Sequence, residues 1–419
     1  MVDVRKKDEA IKQKWDSYQT STGVNIPVNQ VQYAFDSASR EDSFIASQFP
    51  TEAEKEKYWW YRNEWHRRAK EFDPGPAPLA VTCELVSSCD LACTMCYTIT
   101  DEFANIVTGA QRVMPWPLVK AIIDEAAELG VPSMLFSWRG ESSIWKGRDG
   151  DRRLTFADVL KYARDKGILE ITCLTHGQHF TEEVAKKIVE AEPSWISFSF
   201  DGIGENYNRI RTPPKMQGTS FDAFSVVVEN ISRLRRLRDE AGKTRPQIRS
   251  NTIFPAIADD PEGYQKFMRD IGVDLITINE MLDLRDGEVP EDMIMKNWAC
   301  QYPFQRLTVS ANGIVLPCTG AHKEQTGLVL GRFKGAPPKV VRNLDGTVAD
   351  IDVPEFSLAE AWHCEKLENI RRLHKTGCRT EIHPGCRHCN HGVKKFGVER
   401  MPDGWDPIKL MWKDKERVG

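Results

Sequence analysis

Long apolar runs are missing from this sequence. No stretch stays apolar for the roughly 20 residues that a membrane-spanning helix needs, and residues 1–9 are polar and charged, without the apolar core of a secretion signal. We therefore expect a cytoplasmic protein with no membrane partner. Because thiols stay reduced in that compartment, the 11 cysteines are expected to be free or metal-bound.

A strong excess of one charge is also missing. The 57 basic and 61 acidic residues leave a formal net charge of −4, so the basic excess that is typical of nucleic-acid-binding proteins is absent and we expect no nucleic-acid partner. The composition does not indicate disorder. With 419 residues, 41% of them hydrophobic, the chain can bury a sizeable core and form more than one domain.

Three cysteines lie close together on one predicted loop. Cys89, Cys93 and Cys96 follow the apolar run 79–86 with the spacing C-x3-C-x2-C. Three thiolates that converge can bind a soft metal, either zinc or an iron–sulfur cluster. Zinc loops usually carry C-x2-C pairs, and no second pair lies near Cys89. Three buried apolar cysteines are the metal-free alternative, but their clustering within eight residues favours a metal site.

Strand and helix patterns alternate from residue 79 onward. The alternation predicts βα units and a mostly parallel sheet. The predicted strands are 79–86, 132–138, 168–175, 195–200, 247–254 and 274–279, and the intervening helices are 114–129, 156–166, 181–190, 221–240 and 261–271. Functional residues of parallel barrels collect at the carboxyl ends of the strands. Three polar motifs begin there, at Arg139, Thr175 and Ser199.

A second group of cysteines follows the region of alternation. Cys300 and Cys318 have the spacing C-x17-C, and Cys386 and Cys389 form a C-x2-C pair. Residues 307–318 predict a hairpin with a type I′ turn at Asn312-Gly313, and a helix is predicted at 358–375. The four cysteines can close a tetrahedral site for zinc or for an iron–sulfur cluster.

The first cysteine motif and the strand-end motifs together resemble those of the radical S-adenosylmethionine (SAM) superfamily. The resemblance implies a partial (β/α)6 TIM-like barrel in which Cys89, Cys93 and Cys96 hold a [4Fe–4S] cluster whose open iron binds SAM. The family's Gly-Gly-Glu-Pro motif matches only at Gly140 and Glu141, which are expected near the SAM amino group. Ser199 and Arg211 correspond to residues that reach the SAM carboxylate or ribose.

The second cysteine group resembles the Twitch domain, a shortened form of the SPASM domain found in radical SAM enzymes. The resemblance implies a second [4Fe–4S] cluster held by Cys300, Cys318, Cys386 and Cys389, with a role in electron transfer or positioning. We therefore expect an N-terminal helical extension at 1–78, the partial barrel at 79–285, a small domain of β-hairpin and helix at 286–395, and a C-terminal tail at 396–419.

The resemblance also implies an oxidoreductase or epimerase. We predict that it abstracts a carbon-bound hydrogen from a hydroxylated small molecule such as a sugar, nucleotide sugar or aminocyclitol, with electrons from a flavodoxin- or ferredoxin-type donor. Alternatives are a maturase of ribosomal peptides and a non-catalytic zinc-binding scaffold. No residue is assigned as catalytic.

The four remaining cysteines are expected to be small buried hydrophobic residues. They are Cys83, Cys173, Cys364 and Cys378. Two further roles are considered: Cys173 could donate a hydrogen atom if its strand face lines the barrel, and Cys378 could replace one ligand of the second site.

Overall fold

The computed structural model describes most of the chain between residues 45 and 389 and short segments outside it. The described residues are 16–19, 25–28, 42, 45–100, 103, 111–279, 291, 294, 299–324, 327–342, 348–382, 384–389, 405–406 and 411–412. The C-terminal tail predicted at 396–419 therefore lies outside the described residues, apart from residues 405–406 and 411–412. Residues 29–41 and most of residues 1–24 lie outside them too.

The described elements alternate as the sequence predicts. The strands are β1 (Asp16–Gln19), β2 (Asn25–Val28), β3 (Ala80–Cys83), β4 (Ser133–Leu135), β5 (Lys146–Asp149), β6 (Arg152–Thr155), β7 (Glu170–Thr175), β8 (Trp195–Ser199), β9 (Gln247–Ile253), β10 (Leu275–Asn279), β11 (Arg306–Val309), β12 (Ile314–Leu316), β13 (Gly331–Phe333), β14 (Lys339–Arg342), β15 (Val348–Ile351), β16 (Glu355–Phe356), β17 (Trp405–Asp406) and β18 (Met411–Trp412). The helices are α1 (Glu52–Glu71), α2 (Trp116–Glu128), α3 (Phe156–Asp165), α4 (Glu182–Ala191), α5 (Glu205–Arg211), α6 (Ala223–Glu240), α7 (Pro261–Asp270), α8 (Leu358–Trp362), α9 (Glu365–Lys375) and α10 (Pro384–Arg387).

Six parallel strands form the centre of the sheet. Their order is β10-β9-β8-β7-β4-β3, so each strand pairs with the next predicted strand along the chain. Helices connect these strands, as in a partial (β/α)6 barrel. The parallel order brings all six carboxyl ends to one edge, where the polar motifs lie.

The same sheet continues beyond the six strands on both sides. β11 pairs parallel with β3, and β12, β13 and β16 follow outward, so the C-terminal hairpin is hydrogen-bonded to the barrel. At the other edge β2 pairs with β10, and β1 pairs antiparallel with β2. The N-terminal extension therefore contains two strands in addition to its predicted helix.

Two local predictions need correction. The hairpin turn is not type I′, because Gly313 alone has a positive φ, of 82°, and donates its N–H to Ser310 at 2.7 Å; this is a three-residue loop with glycine at its left-handed position. The helix predicted at 358–375 is two helices, since Cys364 has extended backbone and stands at the cap of the second.

Helix α1 closes the amino-terminal end of the barrel. Its aromatic residues Tyr58, Tyr61 and Trp65 pack in one buried cluster against the first residues of β3 and β8. The Tyr61 hydroxyl donates to Glu170, the first residue of β7, at 3.3 Å, and burial raises the pKa of that carboxyl. The aromatic residues of α1 therefore pack an N-terminal segment onto the barrel.

Membrane-spanning character is absent from the described helices. None of them combines the length and the apolar character that crossing a bilayer requires.

Candidate iron–sulfur and SAM site

The three-cysteine loop lies directly after β3. Cys96 donates its N–H to the Cys93 carbonyl at 2.8 Å, which closes a turn, and the Cys89 sulfur accepts from the N–H of Leu91 at 3.4 Å. Burial raises the pKa of the Cys93 thiol to about 11 and that of Cys89 still further, and neighbouring thiols of the loop add to both shifts. A bound metal deprotonates its thiol ligands, so the raised pKa values do not prevent these thiols from ligating a soft metal centre.

Arg211 brings a cation to the cysteine loop. Its Nε and Nη2 atoms donate to one oxygen of Asp201 at 2.9 and 2.5 Å, and its Nη1 lies 3.7 Å from the Cys93 sulfur. The other oxygen of Asp201 accepts from the Thr252 hydroxyl and the Ile253 N–H at 2.9 and 3.1 Å. The end of β9 thus fixes the carboxylate that orients the guanidinium beside the cysteines.

Gly140 allows the turn after β4 to touch the cysteine loop. A Cβ at this position would lie 2.3 Å from the Val86 carbonyl oxygen and 2.6 Å from that of Ser88. Such distances are far inside van der Waals contact, so only glycine fits. The next residue, Glu141, donates its N–H to the Ser88 carbonyl at 2.9 Å, which places its carboxylate near Cys89.

The Glu141 carboxylate is buried and held by three donors. One oxygen accepts from the Thr175 hydroxyl at 2.6 Å and the Ser143 N–H at 2.9 Å, and the other accepts from the His176 N–H at 2.8 Å. Burial opposes ionisation, but His176 and these hydrogen bonds outweigh it and lower the pKa of Glu141. A fixed, charged carboxylate is suited to bind an ammonium group.

An Asp–His cluster at the same edge was not identified from the sequence. Asp90 lies 3.0 Å from His176 Nε2 and 2.7 Å from His179 Nε2. His176 Nδ1 accepts from the N–H of Gln178 at 3.1 Å, which directs the Nε2 edge of the ring to Asp90. The signal in the sequence was the histidine in the polar motif that begins at Thr175, because His176 follows the end of β7 and reaches Asp90 of the cysteine loop.

Ser199 lies in a layer of uncharged polar side chains at the strand ends. It pairs in register with Asn251, whose Oδ1 accepts from Asn279 Nδ2 at 2.6 Å. The hydroxyl of Ser199 makes no hydrogen bond to any residue that the structure describes. We call Ser199, Asn251 and Asn279 the polar rim.

The four cysteines of the second group line one cavity. It contains Cys300, Cys318, Cys386 and Cys389, and neither Cys364 nor Cys378 is among its lining residues. A Cβ on Gly320 would lie 3.5 Å from the Cys318 sulfur and 4.0 Å from that of Cys389, so these sulfurs are near each other.

Burial also dominates the chemistry of the second site. It raises the pKa of the Cys318 thiol to about 11 and that of Cys300 well above its usual range, and the neighbouring thiols add to both shifts. His374 borders the cavity and accepts the Cys300 N–H on Nδ1 at 3.2 Å. Four thiols around one cavity supply the ligands that a four-cysteine metal or cluster site needs.

Two further cysteines belong to the core between strands and helices. Cys83 contacts Met114 sulfur to sulfur at 3.7 Å, and Cys173 lies in register with Ile196 in the same buried cluster. The opposite face of β7 carries Glu170, which meets α1. Cys173 therefore does not line the barrel, and the condition for a hydrogen-donor role is not met.

Two family models match the chain. The model described as the radical SAM superfamily matches residues 84–239, and the SPASM model, described as an iron–sulfur cluster-binding domain, matches residues 300–390. The first range contains the three-cysteine loop and the second contains all four cysteines of the second site. The matches imply SAM and [4Fe–4S] clusters as cofactors and favour them over zinc.

Similarity to individual proteins is more limited. Fe-coproporphyrin III synthase of Methanosarcina barkeri (strain Fusaro / DSM 804) is 30% identical over 155 residues, which cover 36% of this chain and 33% of the synthase. The chain thus matches about a third of the length of that curated relative.

Solved structures with a similar fold cover more of the chain. Polyhistidine-tagged anSMEcpe with bound AdoMet has a TM-score of 0.50 at 14% identity, covering 76% of this chain and 88% of that one. BtrN in complex with AdoMet and 2-DOIA has a TM-score of 0.40 at 13% identity, covering 74% and 92%. At 14% identity the first likeness shows the fold alone.

Proposed function

Because this chain belongs to the radical SAM superfamily and carries a SPASM iron–sulfur cluster-binding domain, we propose that it abstracts a carbon-bound hydrogen from a hydroxylated small molecule. The substrate class is a sugar, nucleotide sugar or aminocyclitol, and the outcome is dehydrogenation or epimerisation. A one-electron reductant is required, for which a flavodoxin- or ferredoxin-type protein is proposed.

The chemistry that bound [4Fe–4S] and SAM supply is electron transfer to SAM, which yields methionine and a 5′-deoxyadenosyl radical able to take a hydrogen atom from carbon. We assign Cys89, Cys93 and Cys96 as the cluster ligands. Their loop is held by the Val86–Val113 bridge and by the close approach of Gly140. Because the loop offers only three thiolates, a [4Fe–4S] cluster held here would have one iron without a cysteine ligand, to which SAM could bind.

Glu141 and Arg211 provide opposite charges on either side of the cysteine loop. Glu141 accepts three hydrogen bonds that fix its position, and its negative charge suits the amino group of SAM. Arg211 is held by Asp201 and suits a carboxylate. An amino-acid headgroup has both groups on one carbon, so this pair of charges would orient it.

The observation that supports a hydroxylated substrate is the polar rim. Its three side chains are uncharged and combine hydroxyl and amide groups, which donate and accept hydrogen bonds. Asn279 donates to Asn251 Oδ1. The Nδ2 of Asn251 and the hydroxyl of Ser199, which is also predicted to reach the SAM carboxylate or ribose, have no hydrogen-bond partner among the described residues and can bind a ligand. Sugars and aminocyclitols present hydroxyl groups that match such donors and acceptors.

The cofactor part of the proposal is tested by metal analysis of anaerobically purified protein. About eight irons per chain and no zinc are expected for two [4Fe–4S] clusters. Stoichiometric zinc without iron would contradict it.

The substrate part is tested with carbon-deuterated sugars and aminocyclitols under reducing, anaerobic conditions. Deuterium is expected in 5′-deoxyadenosine with wild-type protein and is lost in Asn251→Ala, whereas SAM cleavage without substrate persists. Asn369→Ala, an exposed asparagine on α9, is the matched control and should transfer deuterium normally. Transfer from a peptide and from none of the small molecules would support the maturase alternative instead.

A further inference from the structure

Arg139 replaces the first glycine of the family's strand-end motif and is the centre of a buried charge cluster. Its side chain is 4% exposed and bridges Glu84, at 2.6 Å, and Glu324, at 2.7 Å, both of which are 0% exposed. Its Nε and its backbone N–H also donate to Glu84, at 2.9 and 3.1 Å. The guanidinium therefore ties the end of β3 to a segment about 240 positions later in the sequence.

That distant segment touches the first site at three further points. We call residues 319–324, which begin directly after Cys318, the bridging segment. Its Thr319 carbonyl accepts from Trp138 Nε1 at 3.2 Å, and its His322 carbonyl accepts from Arg139 Nη1 at 3.0 Å. The His322 ring packs edge-on against Tyr97, next to Cys96, with ring centroids 4.8 Å apart.

Further hydrogen bonds fix both carboxylates of the charge cluster. Glu84 also accepts the Ala311 N–H at 3.0 Å, and the second oxygen of Glu324 accepts from Asn312 Nδ2 at 3.0 Å. Buried charges of this kind are tolerated only when each is paired and hydrogen-bonded, so small displacements are unfavourable. Glu324 has a left-handed backbone with φ of 48°, an unusual conformation that this packing maintains.

We propose that Arg139 is a positioning residue that couples the four-cysteine site to the SAM-binding turn at Gly140 and Glu141. Arg139 immediately precedes that turn, and its partner Glu324 ends the segment that starts at Cys318. A displacement of the bridging segment is thereby transmitted to the backbone that carries Glu141. This inference rests on the proposed role of Glu141 in binding SAM.

The test measures SAM affinity from the change in the electron paramagnetic resonance spectrum of the reduced cluster, at matched cluster occupancy of the three-cysteine site. Arg139→Ala leaves two buried carboxylates without their shared cation and is expected to fold poorly, so milder variants decide. Glu324→Gln should weaken SAM binding about fivefold, at the lower end of couplings between distant sites. Trp138→Phe, which changes no charge, should shift affinity in the same direction by about twofold, at the lower end of the effects of single residues along such a connection.

The coupling itself is tested by combining variants. Cys318→Ser should remove about half of the iron and weaken SAM binding, and adding Glu324→Gln should then have little further effect because the two changes interrupt one connection. Lys334→Ala removes an exposed ion pair with Glu360 in the same region and should bind SAM as the wild type does.

Two outcomes would overturn the inference. Either Glu324→Gln and Trp138→Phe retain full iron and wild-type SAM affinity, or the effects of Cys318→Ser and Glu324→Gln on affinity are fully additive. A wild-type protein that binds no SAM would instead refute the proposed function, so the two failures can be told apart.

Discussion

Glu141 offers a sharp test of the SAM site, because Glu141→Gln keeps the shape of the side chain, removes its charge and replaces one oxygen that accepts a hydrogen bond by a donor. A hydrogen bond to a charged group contributes about 1.5–3 kcal/mol, and each 1.4 kcal/mol is about a factor of ten in affinity. We therefore expect Glu141→Gln to bind SAM about 10- to 150-fold more weakly than the wild type.

A second substitution tests whether the orientation of Glu141 matters. Thr175 donates to its carboxylate at 2.6 Å, so Thr175→Val should weaken SAM binding about 3- to 10-fold, equivalent to about 1 kcal/mol. In the Glu141→Gln background the same change should have a much smaller effect, since Thr175 acts through Glu141.

The matched control lies on the same strand. Thr172 is also fully buried, and its hydroxyl has no hydrogen-bond partner in the described structure, so Thr172→Val should leave SAM affinity unchanged. The assay is equilibrium titration of SAM into anaerobic protein of equal iron content. Equal losses of affinity for both threonine variants, or an unchanged affinity in Glu141→Gln, would refute the reasoning.

Four further results are expected. Cys93→Ala should form no 5′-deoxyadenosine, and its persistence would contradict the assignment of the cluster ligands. Cys378→Ala should keep the full iron content by chemical iron assay, because Cys378 lies outside the cavity of the second site; loss of four irons would make it a ligand. Gly140→Ala should lose SAM binding and iron from the first site, since its Cβ would lie 2.3 Å from a carbonyl oxygen, and wild-type binding would show that the turn can move. The raised pKa of Glu170 means that its carboxyl binds a proton more tightly in the folded state, so its contribution to stability is present at low pH and lost as pH rises through the folded-state pKa. Glu170→Gln should therefore raise the thermal midpoint by about 1–3 °C at pH 8 and by less at pH 5. A difference that does not depend on pH would contradict this.

Local pattern was sufficient for the parallel core and for both cysteine groups. The alternation of apolar strands and amphipathic helices depends on neighbouring residues, and all six predicted core strands were confirmed. The spacings around Cys89 and Cys386 are equally local, because a metal loop must bring its thiols together within one or two turns of chain. The prediction missed the strands β1, β2, β5 and β6, the type of the hairpin turn and the break at Cys364.

Tertiary structure alone decided the contacts between residues far apart in sequence. Which face of β7 meets the helices, and hence the role of Cys173, depends on register across the sheet. The polar rim forms because parallel strands align Ser199, Asn251 and Asn279 at one edge. Arg139 appeared in the sequence only as a departure from a glycine motif. Its partner Glu324 is 185 residues away, and only the packing of the bridging segment on the barrel makes the pair a buried connection between the two cysteine sites.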